Sequence, residues 1–406
     1  MPSFIAWLDA SERERRLALD VIELFNEKET LDELGIGSIR DTIAEVLSPG
    51  TSTIQTRARY FFFVPWTYLE LERKRDSSDR VNMRARRLEV KTIEALSQTE
   101  ENGVIGKQAG AGLRRLPSTI YWAGLGRLGF RRSQGSLDQY HRTFTPRSRA
   151  TVRDESGDVD LEAMGRETWD LHLPSAPEQF PAVDSLSLTL AEAKFFSEKL
   201  AYCANGSLLH TLVERNLTIG DVPVPWLIGD LERMPLILKT WLDDGRCYSD
   251  IVHGAQLLYN LMLARKFRDV YKNARGEELT AKYEVAFSDW ASDITASRPW
   301  FQLWDTSAFW SRLRLANPGI ADSSINFSIA WITATLDSAN PAALAGDAEC
   351  LALIKAREWE MKKSRARLAN HEQLQMWGGA SGNNRLDYRW RITKQIVNDI
   401  IAGLGK

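Results

Sequence analysis

The chain has 406 residues, 44% hydrophobic and 26% charged, with a formal net charge of −2 at pH 7. That length predicts two or three cores rather than one, and the composition is that of an ordinary globular protein, not a disordered one. Three widely spaced cysteines, Cys203, Cys247 and Cys350, exclude a Cys-rich zinc module and fit a reducing compartment.

Ser11-Glu12-Arg13-Glu14 reads as a capping box. Leu17, Val21, Ile22 and Phe25 follow at helical spacing, which predicts a first helix ending near Gly35. The charges at Glu12 to Arg16 also arrive too early for a secretory apolar stretch. A second, short helix is expected from Ser38, with Ile39, Ile43 and Leu47 on one face and a stop at Ser48-Pro49-Gly50. Ser52-Thr53-Ile54-Gln55 is a further capping box and predicts a helix through Arg57, Arg59 and Phe61 to Phe63. Pro65 should kink or end it. The apolar run 60–66 is far below the roughly 20 residues a membrane helix needs. A cytoplasmic protein with no membrane partner is therefore expected.

Between residues 73 and 91 stand eight Lys or Arg against three acids, and a helix is expected over 85–97. The basic count fits either a second basic surface or a solvated helix face. The strongest charge feature comes next. From 104 to 149 the cations are Lys107, Arg114, Arg115, Arg127, Arg131, Arg132, Arg142, Arg147 and Arg149, and the one acid is Asp138. The local charge is +8, so the remainder of the chain carries −10. Tyr121, Trp122, Phe130, Tyr140 and Phe144 are interleaved with these cations. Concentrated positive charge points to a polyanion, most simply nucleic acid. Pro117-Ser118 opens a predicted helix over 119–128, and Gly129 stops it. A helix, a turn, a second helix and a basic extended flap is the order of a winged helix-turn-helix.

The acidic, polar stretch 153–160 and the prolines 174, 177 and 181 place a linker at 161–183. It separates a basic N-terminal domain, 1–160, from a helical body, 184–406. In that body Thr189-Leu190-Ala191-Glu192 is another capping box. Leu231, Met234, Leu238 and Trp241 suit one buried face; Leu258, Leu261 and Met262 suit another. Asn340-Pro341 puts Pro at a first helical position. A long helix is expected over 349–368, a glycine loop at 377–382, and a last helix stepping through Tyr388, Ile392, Ile396 and Ile400. The fold class predicted is mainly α and multi-helical, with strand alternation confined to pieces such as 145–152.

Chemical motifs are weak. Gly124-Leu125-Gly126-Arg127-Leu128-Gly129 matches GxGxxG, but a dinucleotide site needs a strand before it, and here the preceding residues look helical. Five scattered histidines show no metal-ligand spacing. Asp184 with Glu192 and Lys194, and Asp79 with Glu89 and Lys91, fit the loose D…ExK pattern of metal nucleases. There the ExK sits on a strand so that its groups converge on one metal and water. Ser48 to Thr53 could clamp a phosphate at a helix N-terminus, with Arg57 and Arg59 behind it, or could simply be a capped loop. Trp300, Phe301, Trp304, Phe309 and Trp310 suit a core anchor better than base stacking. No catalytic residue, metal ligand or cofactor site is assigned from these patterns.

Three blocks carry a family resemblance: residues 10–66 (ASERERRLALDVIELFNEKETLDELGIGSIRDTIAEVLSPGTSTIQTRARYFFFVPW), 103–130 (GVIGKQAGAGLRRLPSTIYWAGLGRLGF) and 385–400 (RLDYRWRITKQIVNDI). They resemble, over essentially the full chain, a bacterial family known as a domain of unknown function. The resemblance implies an accessory protein encoded near helicases and modification genes in anti-phage defence islands, and it carries over no catalytic residues. The expectation is a non-catalytic DNA-binding subunit of a defence complex. It would meet duplex DNA through Arg57, Arg59 and the nine central cations, and would partner other defence proteins such as a helicase or ATPase. The alternatives are a divergent metal-dependent nuclease and a protein–protein adaptor that does not touch nucleic acid.

Overall fold

A computed structural model describes residues 32–74, 77–109, 112–144, 168–217, 219–229 and 231–405. The 145–152 alternation falls outside these residues, and so does the first expected helix except for its last residues, 32–35, which form a turn rather than helix. Among the described residues the chain is mainly helical and holds no strand, and its one extended pairing is an isolated antiparallel bridge between Arg131 and Trp169. In chain order the helices are α1 (Gly37–Leu47), α2 (Tyr60–Arg73), α3 (Val81–Ser97), α4 (Pro117–Arg127), α5 (Leu137–Arg142), α6 (Leu190–Cys203) and α7 (Leu208–Glu214). Then come α8 (Leu236–Tyr271), α9 (Ala274–Ala296), α10 (Arg298–Phe301), α11 (Thr306–Ala316), α12 (Asp322–Asp337), α13 (Ala348–Lys362), α14 (His371–Gln375) and α15 (Trp390–Gly403). Among the described residues no helix is long and apolar enough to cross a membrane.

Contacts divide the chain into two compact units. One takes the chain up to Thr42 together with Asp244–Leu386. The other takes Ile43–Asp243 together with Asp387–Lys406.

The second unit is organised around α2. Residues 60–68 of that helix are all buried, as a helix apolar on every side must be. Phe61 meets Tyr121 edge-on at 5.0 Å and Phe196 at 5.1 Å, and Phe62 meets Phe130 at 5.4 Å. Each such pair adds about 0.5–1.5 kcal/mol beyond its buried area. Pro65 sits inside α2 without ending it, since this packing offsets the hydrogen bond a proline cannot donate.

The helix begins at Tyr60, later than the Ser52 capping box predicted. The reason is that other elements take the backbone N–H groups of 56–58. Tyr121 Oη accepts from Thr56 N (2.8 Å) and Arg57 N (3.2 Å), and Asp399 accepts from Ala58 N (2.9 Å). With those donors satisfied, no helical turn is needed there. The helix ending the chain buries Ile392, Ile396 and Ile400 as expected. It starts at Trp390 because Tyr388 and Arg389 both take positive φ.

The first unit is built along α8, 36 residues long. Ser249, His253 and Asn260 recur at helical spacing on one face and hold the segment 381–386. Ser249 Oγ donates to Leu386 O (2.9 Å), and Asn260 exchanges two bonds with Ser381 (2.8 and 2.9 Å). Trp290 lies against Gly254, where an added Cβ would stand 2.2 Å from the indole. Phe301 and Phe309 are buried, and Trp304 Nε1 donates to Asp244 (2.9 Å), so the 300–310 aromatics anchor a core. The helix expected over 349–368 stops at Lys362 because Glu358 accepts the backbone N–H groups of Arg367 and Leu368 (2.8 and 2.9 Å), which turns the chain back.

Candidate nucleic-acid interface

The basic residues singled out by charge fall into two classes. Arg57, Arg59 and Arg131 are engaged inside the second unit. Arg57 Nε lies 2.9 Å from both carboxylate oxygens of Asp399, and its Nη1 donates to Asn102 O. Arg59 forms a two-pronged pair with Glu192 (3.0 and 3.1 Å) and also donates to Ser185 O. Arg131 lies 4.6 Å above the Trp122 ring and donates to Ser133 O. Burial holds its guanidinium below the usual arginine range.

The others lie at or near the surface. Lys107 is exposed and donates to Thr99 O. Arg127 is exposed and paired with Glu45 (2.8 Å), and Arg142 pairs with Asp138 one turn back (3.0 Å). Arg114 and Arg132 are exposed, and Arg115 is half-buried. Arg147 and Arg149 lie outside the described residues. The basic stretch from Arg131, expected as an extended flap, is described as far as Phe144 and forms α5 over Leu137–Arg142 rather than an extended segment.

A sharper feature sits on α3. Its inner face buries Val81, Ala85, Glu89, Thr92, Ile93 and Leu96. Its outer face carries Arg84, Arg87 and Lys91, with Arg80 as N-cap. The spacing of four, three and four residues puts these cations on one stripe. Arg80, Arg87 and Lys91 are exposed. Arg86 Nη2 donates to Leu113 O (2.9 Å), which lays the segment leading to Arg114 and Arg115 beside the helix. The segment bearing Arg114 and Arg115 therefore adjoins the α3 cations at this edge. The sequence signal for the stripe was the Arg80, Arg84, Arg87, Lys91 periodicity, which a simple count of charges does not reveal.

The chemical motifs resolve differently. Gly124 and Gly126 lie within α4, and Gly129 with φ +72° follows its end. A Cβ at Gly124 would come within 2.3 Å of Gly50 O, so this glycine serves a close helix–loop approach. The Ser48 loop is buried: Thr393 Oγ1 donates to Ser48 Oγ (2.7 Å), and Gln55 Nε2 donates to Gly50 O (3.2 Å). Ser48 and Thr51 are thereby turned inward, while Ser52 is half-buried and Thr53 exposed. In the first D…ExK candidate Asp184 and Lys194 are exposed, while Glu192 completes the Thr189 capping box as it pairs with Arg59.

In the second D…ExK candidate, Glu89 accepts from both Ser118 N (2.7 Å) and Ser118 Oγ (3.1 Å) at the start of α4. Burial pushes its pKa up to about 7. Among the described residues no group of three or more His, Cys, Asp or Glu is placed to hold a metal ion. His141 hydrogen-bonds Tyr68 (2.8 Å), and burial pushes His253 down to about 4.

No curated protein and no solved structure gives a significant match. The family model described as "Family of unknown function (DUF6361)" matches residues 2–403, and the chain belongs to that family.

Proposed function

We propose that this chain is a non-catalytic, cytoplasmic DNA-binding subunit of a bacterial anti-phage defence complex, contacting the phosphate backbone of duplex DNA through the outer face of α3 and the adjoining 107–115 segment. The observation that carries this reading is the α3 stripe of Arg80, Arg84, Arg87 and Lys91, with the Arg114 segment held alongside by Arg86. A row of cations one helical turn apart suits successive phosphates and carries no base-reading geometry, so binding is expected to be strong at low salt and indifferent to sequence. The defence setting, with a helicase or ATPase as partner, rests on the family resemblance alone.

The nuclease alternative is disfavoured by the buried partners of Glu192 and Glu89, which would have to be broken before either carboxylate met a metal. Measuring duplex affinity against salt tests the proposal. Four phosphate contacts give a log–log slope of roughly −4. Arg87→Ala with Lys91→Ala should flatten it by about two units and weaken all duplex sequences alike. An unchanged slope in that variant refutes the α3 surface.

A further inference from the structure

We propose that the first unit carries a separate site for an unpaired nucleotide, in the cleft at the C-terminal end of α13, with the Trp359 indole as its stacking wall. The cleft is a shallow depression, largely open to solvent, lined by Trp359, Ser364, Ala369, Asn370, His371 and Glu372. Trp359 is 50% exposed, and among the described residues no other tryptophan falls in the exposed class. An indole face held open to water beside a cleft is the arrangement on which bases stack.

Three cations neighbour Trp359 along the chain. Lys355 stands one turn before Trp359, and Lys363 and Arg365 follow it; all three are exposed. Of the nearby acids, Glu360 is paired with Arg357, and Glu372 lies in the lining. Ser364 and His371 bring a hydroxyl and an imidazole to the lining, where a base edge or phosphate oxygen could meet them.

The cleft is also built rigidly. Lys363 takes φ +52° and ψ −125°, a conformation costly for any side chain but glycine. The neighbourhood holds it there. Lys363 N donates to Trp359 O, Asn370 Nδ2 donates to Ser364 O (2.9 Å), and Tyr271 Oη donates to His371 O (3.1 Å). Glu358 and Lys362, next to Trp359 on the same helix, join a mostly buried ionic cluster. Glu358 and Glu33 share Tyr259 Oη (2.6 and 3.3 Å), Lys362 pairs with Glu33, and Arg367 joins Glu33 at 2.9 Å. A hydrogen-bonded polar frame beside an exposed aromatic side chain preorganises a binding site.

A nucleotide within a single strand and a free mononucleotide present the same base and phosphate, so both are probed. The test uses the full chain carrying Arg87→Ala and Lys91→Ala, so that the basic face of α3 does not mask the result. A fluorescein-labelled single-stranded decanucleotide is titrated by anisotropy, with unlabelled AMP and dTMP as competitors. The expected result is measurable binding that Trp359→Ala weakens about tenfold, within the range for loss of one stacked base. Trp359→Phe should stay within about threefold of the parent, and both variants should melt as the parent does. Competition by the mononucleotides assigns the site to free nucleotides, and its absence assigns it to a strand; either supports the site. Parent-like affinity in Trp359→Ala, or no binding of the strand by the parent, overturns it. Loss of duplex binding through α3 with strand binding intact separates this inference from the proposed function.

Discussion

Glu89 shows how much a single carboxylate contributes here. Its folded pKa, up at about 7, lies above the ordinary carboxylate value of 4.5. The folded state therefore holds a proton that the unfolded state releases. The stabilisation is complete below about pH 4.5 and is lost as pH rises through about 7. Glu89→Gln should mimic the protonated acid, since an amide can accept from Ser118 N and donate to Ser118 Oγ. Thermal melts should show it more stable than the parent at pH 8, with the difference gone at pH 4.

Arg59 makes the opposite case. Removing it strands the buried Glu192 carboxylate, and breaking a buried pair costs about 3–5 kcal/mol. Arg59→Ala should lower stability by that order in urea unfolding, while its folded fraction binds duplex DNA as the parent does. Weakened affinity at unchanged stability would return Arg59 to the interface. Charge was visible at both positions in the sequence, but the partners were not, because Glu192 stands 133 residues from Arg59.

Local code fixes most of the elements. α1 stops at Leu47 before Ser-Pro-Gly, α4 opens on Pro117, and Thr189 with Glu192 forms the complete capping box that spacing predicts. The misreadings occur where tertiary groups take over backbone donors or acceptors. The false helix start at Ser52 traces to Tyr121 and Asp399, and the early stop of α13 traces to Glu358. The GxGxxG run is a packing motif whose meaning depends on Gly50, more than 70 residues away in sequence. Gly124→Ala should accordingly cost about 1–3 kcal/mol through overpacking, measurable as a fall in the urea midpoint. Arg87→Ala with Lys91→Ala, on an exposed face, should stay within about 0.5 kcal/mol per site. Of the candidate interface, the stripe on α3 was readable as periodicity. Its union with the Arg114 segment was not, because it hangs on the Arg86 to Leu113 O bond.

At the scale of the molecule, composition could mark a polar, proline-bearing stretch at 161–183, but it carries no record of which distant segments close on each other. The contact units each draw on separated stretches of chain. The Glu192 and Glu89 carboxylates are locked in internal hydrogen bonds. Purified protein incubated with duplex DNA and Mg²⁺ or Mn²⁺ should therefore leave the DNA intact, and cleavage abolished by Glu192→Gln would reverse that expectation. The return of α15 to the second unit also sets a schedule for biosynthesis. Asp399 answers Arg57 across 342 residues, and Thr393 answers Ser48 across 345. At about 5–20 residues per second, a ribosome that has just finished the Ser48 loop needs tens of seconds more before those partners emerge. Throughout that interval Arg57 and the Ala58 N–H lack the Asp399 carboxylate, and Ser48 lacks Thr393, so this part of the second unit closes only when the end of the chain has been made.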